Sequence, residues 1–369
     1  MKVALISDTH WGTRGDSVLF HNIFKEYYEQ HFFPELISRN IKTIVHLGDF
    51  FDRRKFTNHH TLALSKEYFF DQLLKHDIKC YMLVGNHDTA MKNTNELNSL
   101  DLLVKSEYQS NIRVFSKPEE VDIQGELCLF LPWINTFSAQ QSTDALVNSN
   151  SNIVFAHLEL SGFKYLQNVV SSHGQVSRDF LEKFPIVLSG HYHEKSSSDN
   201  IHYLGSPMEF NWGDCGSKRG FHILTGTDGN YELEFIQNPF KNFIKLYYND
   251  TNKNDVKEII SKFDEISSKI KNKYVKLIVE KKQDLLLFEE FADKLYNSGA
   301  FNISIVDMTS EILAEGGTID EDKIRSASKD TFEFISDFIN SEIQTDLDKE
   351  TLKNYMRDLL VKAQQAETV

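Results

Sequence analysis

The amino-acid sequence predicts an α/β fold, because short apolar runs alternate with longer segments of helical spacing and most of the runs end at a polar cluster. Five runs are continuously apolar instead of alternating, which is typical of strands that are buried on both faces. They are Val3–Ser7, Thr43–Leu47, Cys80–Val84, Ile153–Ala156 and Ile186–Ser189.

Two segments of helical spacing separate the first three predicted strands. Apolar residues recur at helical intervals in Phe20–Ile37 and in Thr61–Lys75, so both are predicted to be crossover helices. Later apolar runs predict strands of hairpins or meanders. These runs are Leu127–Leu131, Ile201–Leu204, Phe221–Leu224 and Tyr231–Ile236. The pattern indicates a mixed sheet, or two packed sheets, flanked by helices.

A second unit is predicted after Pro239, where strands and helices alternate singly. The predicted strands are Phe243–Tyr248, Tyr274–Val279 and Phe301–Val306, and the predicted helices are Asp255–Ile270 and Leu285–Tyr296. This order indicates a small α/β lobe. The predicted boundaries are residues 1–238 for the first domain and 239–315 for the second.

The C-terminal part of the sequence predicts a linker followed by helices. Residues 316–330 start with a glycine pair and are mostly polar, as linkers are. Residues 331–369 contain two apolar stripes at helical spacing. The stripes are Phe334, Ile335, Phe338, Ile339 and Ile343, then Leu352, Met356, Leu359 and Ala363. They either pack against the body of the same chain or form a helical hook for a partner.

The amino-acid composition limits the classes of protein to which this chain can belong. The 369 residues are 40% hydrophobic and 25% charged, which are ordinary values for globular domains. A formal charge of -14 argues against a general polyanion binder, so any nucleic-acid binding must be local, metal-assisted or shared with a partner. Three scattered cysteines and the lack of a signal-peptide core or a long apolar span predict a cytoplasmic protein.

Polar clusters directly follow the five buried strands, at the end where ligand crevices form in open α/β sheets. The clusters are Asp8-Thr9-His10, Gly48-Asp49-Phe50-Phe51-Asp52, Gly85-Asn86-His87-Asp88, His157 and Gly190-His191-Tyr192-His193. Imidazole nitrogens mixed with carboxylate and amide oxygens suit manganese, iron or zinc better than magnesium or calcium. Two such ions that share a carboxylate can clamp a phosphodiester and activate a water.

The conjunction of the clusters carries more weight than any one of them. A single Asp-x-His is a common accident, and an isolated histidine such as His157 is usually a core or surface residue. Five clusters in one order, each at a strand end, are not explained by stability, because unpaired carboxylates and imidazoles in one crevice are costly without cations. His191 and His193 either face one side of an extended segment or diverge to two neighbouring ions.

These motifs together resemble the signature of the calcineurin-like metallophosphoesterases over roughly the first 235 residues. Within that superfamily the chain is similar to the nuclease subunits of the SbcC/SbcD and MRN complexes, and most similar to the recombination endonuclease subunits of T-even-type phages. The narrower resemblance depends on the two predicted domains, the helical tail and three short sequence motifs. The short motifs are Gly-Asp-Phe-Phe-Asp-Arg-Arg-Lys, Leu131-Pro132-Trp133 and Gly205-Ser206-Pro207. The resemblance implies a sandwich of two mixed sheets with a small α/β capping domain and a C-terminal helical tail.

The resemblance also implies roles for the site residues. One metal ion would be bound by Asp8, His10, Asp49 and His193, and the other by Asp49, Asn86, His157 and His191. His87 would be the general acid that protonates the leaving 3′ oxygen, with Asp88 orienting it. Asp52 stands where some relatives have a histidine, and it is expected to orient a ligand.

Two further segments are candidate substrate contacts. Arg53, Arg54 and Lys55 follow the second cluster at the lip of the crevice, where they either form a solvated surface or bind phosphate. The segment Asn211–Lys218 is rich in Gly and Asp and is predicted to be a flexible loop, for which a substrate role is an alternative to a plain connection.

The family implies a DNA nuclease that is a 3′-to-5′ exonuclease on duplex ends and an endonuclease on single strands. Its expected cofactors are two divalent ions, manganese first and magnesium as the alternative. Its expected partners are DNA, a second copy of the chain and an SbcC-type coiled-coil ATPase that binds the helical tail, in the host cytoplasm for a phage-encoded chain. A phosphomonoesterase, a small-molecule phosphodiesterase and a non-catalytic scaffold are the alternatives, because one scaffold hosts several activities.

Overall fold

The computed structural model describes residues 1–166 and 169–309, and beyond these residues 339, 348, 349, 351–353, 355, 356 and 359. The chain divides into two compact units. The first comprises Met1–Phe210 and Gly216–Phe240, and the second comprises Asn211–Cys215 and the chain from Lys241 onward. The predicted linker and most of the predicted helical tail lie outside the described residues.

The elements of the first unit alternate along the chain. Its strands are β1 (Lys2–Ile6), β2 (Thr43–His46), β3 (Lys79–Leu83), β4 (Thr89–Met91), β5 (Thr94–Asn98), β6 (Ile112–Phe115), β7 (Glu119–Ile123), β8 (Glu126–Leu131), β9 (Ile153–His157), β10 (Lys164–Leu166), β11 (Val169–Val170), β12 (Ile186–Gly190), β13 (Ser196–Ser198), β14 (Ile201–Tyr203), β15 (Gly220–Thr227) and β16 (Asn230–Gln237). Its helices are α1 (Thr13–Asp16), α2 (Val18–Tyr27), α3 (Phe33–Ser38), α4 (His59–Ser65), α5 (Asp71–His76), α6 (Ser99–Leu103) and α7 (Ala139–Asn148).

Two six-stranded mixed sheets form the body of the first unit. The first has the order β16-β15-β1-β2-β3-β6, in which β1, β2, β3 and β6 are parallel, and β15 is antiparallel both to β1 and to the edge strand β16. The second has the order β13-β14-β12-β9-β8-β7, with four parallel central strands and an antiparallel strand at each edge. The predicted α/β class and the sandwich of two mixed sheets are therefore confirmed.

The core of the first unit lies between the two sheets. Apolar side chains of both sheets interdigitate there and are almost completely buried. They include Val3, Leu5, Val45, Leu47 and Leu83 from the first sheet and Phe130, Ile153, Phe155, Ile186 and Leu188 from the second. This packing explains why five strands are continuously apolar: one face meets the other sheet, and the opposite face is also covered.

The predicted crossover helices are longer and less regular than the sequence indicated. The chain is helical from α2 through a π turn at Tyr28–Phe32 into α3, and again from α4 through a π turn at Lys66–Phe70 into α5. Each π turn adds a residue to the helical repeat. Aromatic side chains of both π turns are buried, so the extra residue keeps bulky rings directed into the core.

The second unit contains a parallel three-stranded sheet in the order β17-β18-β19. Its elements are β17 (Phe243–Asn249), α8 (Lys253–Ser261), α9 (Phe263–Ile270), β18 (Tyr274–Lys281), α10 (Leu285–Tyr296) and β19 (Asn302–Asp307). The single helix predicted over Asp255–Ile270 is wrong, because Lys262 has φ −104° and ψ 17° and separates α8 from α9. The break directs Val256, Ile260 and Phe263 into one core.

The segment predicted as a flexible loop starts with a capped helical turn. Residues Trp212–Asp214 form a short 3₁₀ turn, and the Asn211 side chain accepts a hydrogen bond from the Gly213 N–H at 2.8 Å. The Asp214 carboxylate accepts one from the Asn211 N–H at 3.2 Å. This reciprocal cap satisfies backbone groups that a flexible loop would leave to water.

Among the described residues, no helix has both the length and the apolar character that crossing a bilayer requires.

A buried carboxylate joins the two sheets of the first unit at the edge near the β15–β16 turn. Glu126, the first residue of β8, accepts hydrogen bonds from Thr227 Oγ1 at 2.7 Å, the Asp228 N–H at 2.9 Å, Tyr231 Oη at 2.5 Å and Asn152 Nδ2 at 3.1 Å. Burial opposes its ionisation, but these donors outweigh burial and lower the pKa of Glu126 to about 2.

We expect Glu126→Gln to lower the free energy of unfolding by about 1–3 kcal/mol at about pH 7, because charge-assisted hydrogen bonds become neutral ones. The folded-state pKa lies below the ordinary value of 4.5, so the stabilisation is present above that value and is lost as pH falls towards about 2. Urea titrations should therefore show a difference from wild type that shrinks between about pH 7 and about pH 3.5.

The exposed Glu96 provides the matched control. Glu96→Gln should change stability by less than about 0.5 kcal/mol at either pH. A Glu126→Gln deficit that stays constant with pH would show that the carboxylate is not the stabilising species.

Candidate metal centre

The structure brings all seven sequence-predicted ligands together at the carboxyl ends of parallel strands. In each case the ligand is the last residue of a strand or follows it within a few residues. Asp8 and His10 follow β1, Asp49 follows β2, Asn86 follows β3, His157 ends β9, and His191 and His193 follow β12. The first three strands belong to one sheet and the other two to its partner, so the centre lies where both sheets end.

One group of ligand atoms is formed by Asp8, His10 and His193, whose oxygen and nitrogen atoms all lie within 4.8 Å of one another. The Nε2 atoms of His10 and His193 are 2.9 Å apart. The Asp8 carboxylate accepts the backbone N–H of His191 with both oxygens, each at 3.1 Å. This contact fixes the carboxylate against the loop that carries His193.

A second group is formed by Asp49, His157 and His191, again within 4.8 Å. Asp49 Oδ2 lies 3.4 Å from His157 Nε2. Asn86 Oδ1 lies between the two imidazoles, at 3.1 Å from His157 Nε2 and 2.9 Å from His191 Nδ1. His191 and His193 therefore diverge into different groups, which resolves the alternative that their spacing left open.

Asp49 lies between the two groups. Its Oδ2 is also 3.9 Å from His10 Nε2, which belongs to the first group. Burial would raise the pKa of the Asp49 carboxyl, but His157 and the neighbouring imidazoles hold it well below its ordinary range. Burial would lower the pKa of His157, whereas Asp49 raises it to about 9. The carboxylate thus interacts with ligands of both groups.

Several ligands have backbone conformations that L-residues rarely adopt. Asp8, His10, Asp49 and His191 have φ of 52°, 48°, 55° and 88°. Backbone hydrogen bonds between the first two loops stabilise these conformations, from the N–H of Asp8 to Gly48 at 3.0 Å and from the N–H of His10 to Asp49 at 3.1 Å. Unfavourable φ values concentrated in one crevice are typical of functional sites, where the fold holds residues in strained positions.

Two glycines make the close approach of these loops possible. A Cβ atom on Gly48 would lie 2.5 Å from His157 Nδ1, and one on Gly85 would lie 2.2 Å from Asp49 Oδ1. Both distances are far below van der Waals contact, so any side chain would displace a ligand. The glycines that flank the motifs are therefore required by packing and not only by turn geometry.

The hydrogen bonds of two imidazoles fit metal binding. His157 Nδ1 donates to the Leu47 carbonyl oxygen at 2.6 Å, which leaves Nε2 as the atom that faces Asp49 and Asn86. His10 Nδ1 lies 3.4 Å from Asp52 Oδ1, which leaves its Nε2 facing His193. A carbonyl or carboxylate behind an imidazole fixes the tautomer that binds a metal through the opposite nitrogen.

The donor set fits two divalent ions. Each group combines imidazole nitrogens with a carboxylate oxygen, the second also has an amide oxygen, and Asp49 is available to both. Such mixed sets suit manganese, iron and zinc. Burial lowers the pKa of His191 to about 3 and raises that of Asp8 to about 6. The neutral imidazole is the form that binds metal, and burial favours it at His191; at His10 and His157, against the effect of burial, the neighbouring carboxylates raise the pKa to about 9, so an ion bound there would displace a proton.

His87 lies beside the ligands, and its partner differs from the expected one. Its Nδ1 donates to the backbone carbonyl of Asp52 at 2.5 Å, and its backbone N–H donates to Asp49 Oδ1 at 2.7 Å. The ring contacts His10 edge-on, with centroids 4.8 Å apart. Burial lowers the pKa of His87. The segment that orients this imidazole is thus Asp52, whose side chain also faces His10.

Asp88 contacts the backbone instead of the His87 ring. Its carboxylate accepts the N–H groups of Asp49 at 2.9 Å, Phe50 and Phe51 at 3.1 Å, and Gly85 at 3.0 Å. Burial, together with Asp49, raises its pKa to about 7 against the effect of these donors. Asp88 therefore shapes the loop that presents Asp49, whereas the resemblance implied that it orients His87.

The three basic residues after the second motif have different surroundings. Arg53 Nη1 is 3.0 Å from Asp16 Oδ2, and its guanidinium lies over the Phe56 ring. Lys55 is exposed. Arg54 Nη1 is buried and has no hydrogen-bond partner in the part of the chain that the structure describes. Burial lowers the pKa of Arg54, and the charge of Asp49 opposes this effect.

Sequence reasoning missed three residues that surround the ligands. Trp133 lies against His191 with ring centroids 4.9 Å apart, and Phe210 lies against His10 and His193 at 5.7 and 5.8 Å. Arg219 contacts the backbone of His193. Trp133 belongs to one of the short motifs quoted for the resemblance, which was the available signal for it, whereas Phe210 and Arg219 have no motif.

Comparisons with known proteins agree with this centre. The family model described as calcineurin-like phosphoesterase matches residues 1–195. Exonuclease subunit 1 of Enterobacteria phage T4 is 30% identical over 369 residues, which covers 99% of this chain and 100% of that protein. A chain of Invertebrate iridescent virus 6 named as phosphoesterase 244L is 25% identical over 245 residues, or 63% of this chain and 79% of that protein.

We expect Asp88→Asn to lower the free energy of unfolding by about 1–3 kcal/mol, because an amide cannot accept all four backbone N–H groups and its own NH₂ meets donors. Urea unfolding of the metal-free chain measures this change. The exposed Asp122, which accepts the Gly125 N–H, supplies the control Asp122→Asn, expected within about 0.5 kcal/mol of wild type. Equal stability of both variants would contradict the loop-shaping role of Asp88.

Proposed function

The chain belongs to the calcineurin-like phosphoesterase family, and from this premise we propose that it is a metal-dependent DNA nuclease with a dinuclear centre. The observation that carries the proposal is the pair of ligand groups that meet at Asp49. Relatives in this family are hydrolases by name, so hydrolysis of a phosphoester is the coarser statement. The nuclease role is favoured by the full-length similarity to a phage exonuclease subunit.

In this proposal Asp8, His10, Asp49 and His193 hold one ion, and Asp49, Asn86, His157 and His191 hold the other. Bound there, two divalent ions, most simply manganese with magnesium as the alternative, would supply Lewis-acid stabilisation of the phosphate charge and an activated water. Backbone contacts hold the side chains of His157 and Asp8 in place before substrate arrives. Preorganised ligands need no rearrangement during the reaction.

His87 is the proposed general acid. Its Nδ1 is occupied by the Asp52 carbonyl oxygen, so Nε2 is the nitrogen that can deliver a proton to the leaving 3′ oxygen. A ring nitrogen of His87, a ring nitrogen of His10 and a carboxylate oxygen of Asp49 also lie within 4.8 Å of one another. In this proposal His87 is nevertheless not a ligand: its backbone N–H binds Asp49 Oδ1 and its Nδ1 binds the Asp52 carbonyl oxygen, which leaves Nε2 beside the metal centre for proton transfer to a substrate atom.

Arg54 is the proposed phosphate contact at the lip, with Arg53 and Lys55 as weaker contributors. A buried guanidinium nitrogen that no described acceptor satisfies is costly, and a substrate phosphate would satisfy it. Arg53 is already engaged by Asp16, and Lys55 is exposed to solvent. Local positive charge is needed here because the formal net charge of the chain is -14.

The physiological setting is proposed by analogy with the relative named as an exonuclease subunit. We propose 3′-to-5′ degradation of duplex ends and cleavage of single strands in a double-strand-break repair or recombination complex. The partners would be a second copy of the chain and a coiled-coil ATPase of the SbcC type that binds the helical tail at residues 331–369. Residues 239–315 would form a capping domain that contacts DNA.

We expect His87→Asn to bind two Mn²⁺ ions with wild-type affinity and yet to degrade duplex DNA about 10²- to 10⁴-fold more slowly, because a proton donor is lost and not a ligand. Isothermal titration with Mn²⁺ and gel assays on end-labelled duplexes measure the two effects. Wild type should cleave DNA far faster than a panel of small phosphomonoesters and phosphodiesters.

The matched control for this experiment is His202→Asn, in a partly buried histidine of β14 that contacts Ser197. It should retain both metal binding and activity. Full activity of His87→Asn would contradict the general-acid role, and a preference of wild type for small phosphoesters would contradict the nuclease assignment.

We expect Arg54→Gln to weaken DNA binding by a factor that falls as salt rises, because one phosphate contact is removed. The slope of log affinity against log salt should decrease in magnitude by about one. Fluorescence anisotropy with a labelled duplex measures this slope, with Ca²⁺ replacing Mn²⁺ to prevent cleavage. Arg39→Gln is the control, because Glu35 and Glu234 already neutralise that guanidinium. An unchanged slope in Arg54→Gln would remove Arg54 from the interface.

A further inference from the structure

Arg219 is a buried arginine next to the candidate metal centre that has no place in the proposed reaction. It is 5% exposed and immediately precedes β15, the strand that pairs with β1 in the first sheet. Its Nη1 donates to the backbone carbonyl oxygen of His193 and to Ser206 Oγ, the latter at 3.0 Å. Its Nη2 donates to Glu194 Oε2 at 3.1 Å.

The guanidinium therefore holds two consecutive residues of the loop after β12. One nitrogen binds the main chain of His193, and the other binds the side chain of Glu194. Ser217 Oγ donates to the same Glu194 oxygen at 2.9 Å, which fixes the carboxylate from a second side. A planar guanidinium whose two Nη atoms both form hydrogen bonds has a defined orientation, which the flexible ammonium group of a lysine lacks.

The Gly205-Ser206 turn also contacts the His193 carbonyl oxygen to which Arg219 donates. The Ser206 N–H donates to the His193 carbonyl oxygen at 3.1 Å, so this oxygen accepts two hydrogen bonds. Gly205 has φ of 74°, and a Cβ on it would lie 2.8 Å from that oxygen. The glycine permits the turn to reach the carbonyl at all.

These contacts join the two sheets at one ligand. His193 follows β12 in the second sheet, while Arg219 is attached to β15 in the first, whose neighbour β1 leads to Asp8 and His10. We propose that Arg219 is a positioning residue which, with Ser206 and Glu194, sets the distance of the His193 imidazole from Asp8 and His10. The inference deepens the proposed function and rests on its dinuclear centre.

Loss of Arg219 should weaken the binding of only one of the two metal ions. His193 belongs to the group with Asp8 and His10, whereas the other group contains Asp49, His157 and His191. Loss of the guanidinium leaves the His193 carbonyl with the Ser206 N–H alone and frees the loop to shift. Outer contacts that orient a ligand typically change metal affinity about 10- to 100-fold, so only the ion bound by His193 should be weakened.

The test uses Arg219→Lys, which keeps the charge but cannot bind His193 and Glu194 at once. Titration calorimetry of the full chain with Mn²⁺ gives the two affinities, and electron paramagnetic resonance reports whether the two ions are coupled. We expect one affinity to fall about 10- to 100-fold and the other to stay within about twofold. Arg39→Lys, an identical change in a guanidinium held by Glu35 and Glu234, should leave both affinities unchanged.

A double-mutant cycle with His193→Ala separates positioning from general loosening. If Arg219 acts through His193, then Arg219→Lys has no further effect on metal affinity once that imidazole is absent. Glu194→Gln keeps Arg219 but weakens the hydrogen bond that orients its guanidinium. It should lower the affinity for the ion bound by His193 by a smaller factor than Arg219→Lys does. This variant keeps the idea testable if Arg219→Lys does not fold.

Two results would overturn the inference alone: undiminished binding of both ions by Arg219→Lys, or an equal loss at both sites that adds to the loss in His193→Ala. A wild-type chain that binds fewer than two Mn²⁺ ions would overturn the dinuclear centre itself, and the inference with it. The wild-type titration thus distinguishes failure of the proposed function from failure of the positioning role.

Discussion

Burial of charge at the ends of the strands is the constraint on which the rest of the site depends. Asp8, Asp49 and His157 are at most 1% exposed, and isolated buried charges of this kind are strongly unfavourable. The imidazoles around Asp49 offset part of the cost, as the lowered pKa of Asp49 and the raised pKa of His157 indicate. Divalent cations would complete the balance, since ligands that repel or crowd one another without an ion become mutually favourable around it. The side chains of such a site stay buried only if the loops are held firmly enough to prevent them from rotating into solvent.

The fold supplies that rigidity through the backbone more than through side chains. The parallel strands end at the same edge, and main-chain hydrogen bonds join the short loops that follow them. Glycines allow these loops to pack so closely that a Cβ atom would not fit between them. Asp88 contributes four contacts to the backbone around Asp49, and Arg219 contributes the corresponding contact to His193. In each case a buried charged group outside the proposed ligand set contacts the backbone that carries a proposed ligand. Asp and His adopt positive φ more readily than most L-residues, and the main-chain hydrogen bonds of Asp8 and His10 help to hold them in these conformations.

The sequence predicted the strands, and the place where the polar side chains gather, because both have local signals. A continuous apolar run predicts a strand buried on both faces, and a polar cluster after it predicts where the crevice lies. Which imidazole joins which group depends on the path of a loop, so the spacing of His191 and His193 left their divergence open and only the family resemblance implied it. The edge strand β7 was missed because it is largely polar, and the break at Lys262 was missed because apolar spacing continues across it. Asp88 was assigned to its sequence neighbour His87, whereas its partners on β2's loop lie about 40 positions away along the chain.

An acidic chain that acts on a polyanion has to concentrate its attraction in a small region. Screening reduces interactions between exposed charges over about 10 Å, so the overall charge of -14 opposes distant approach of DNA but has little influence inside the crevice. There, two bound divalent ions and the Arg54 guanidinium would outweigh the local carboxylates. In the proposed function, affinity for DNA is therefore coupled to metal loading: the metal-free chain repels its substrate, and the loaded centre binds it. Non-specific binding along intact nucleic acid is disfavoured by the same surface charge, which favours engagement at sites where a phosphodiester can enter the centre.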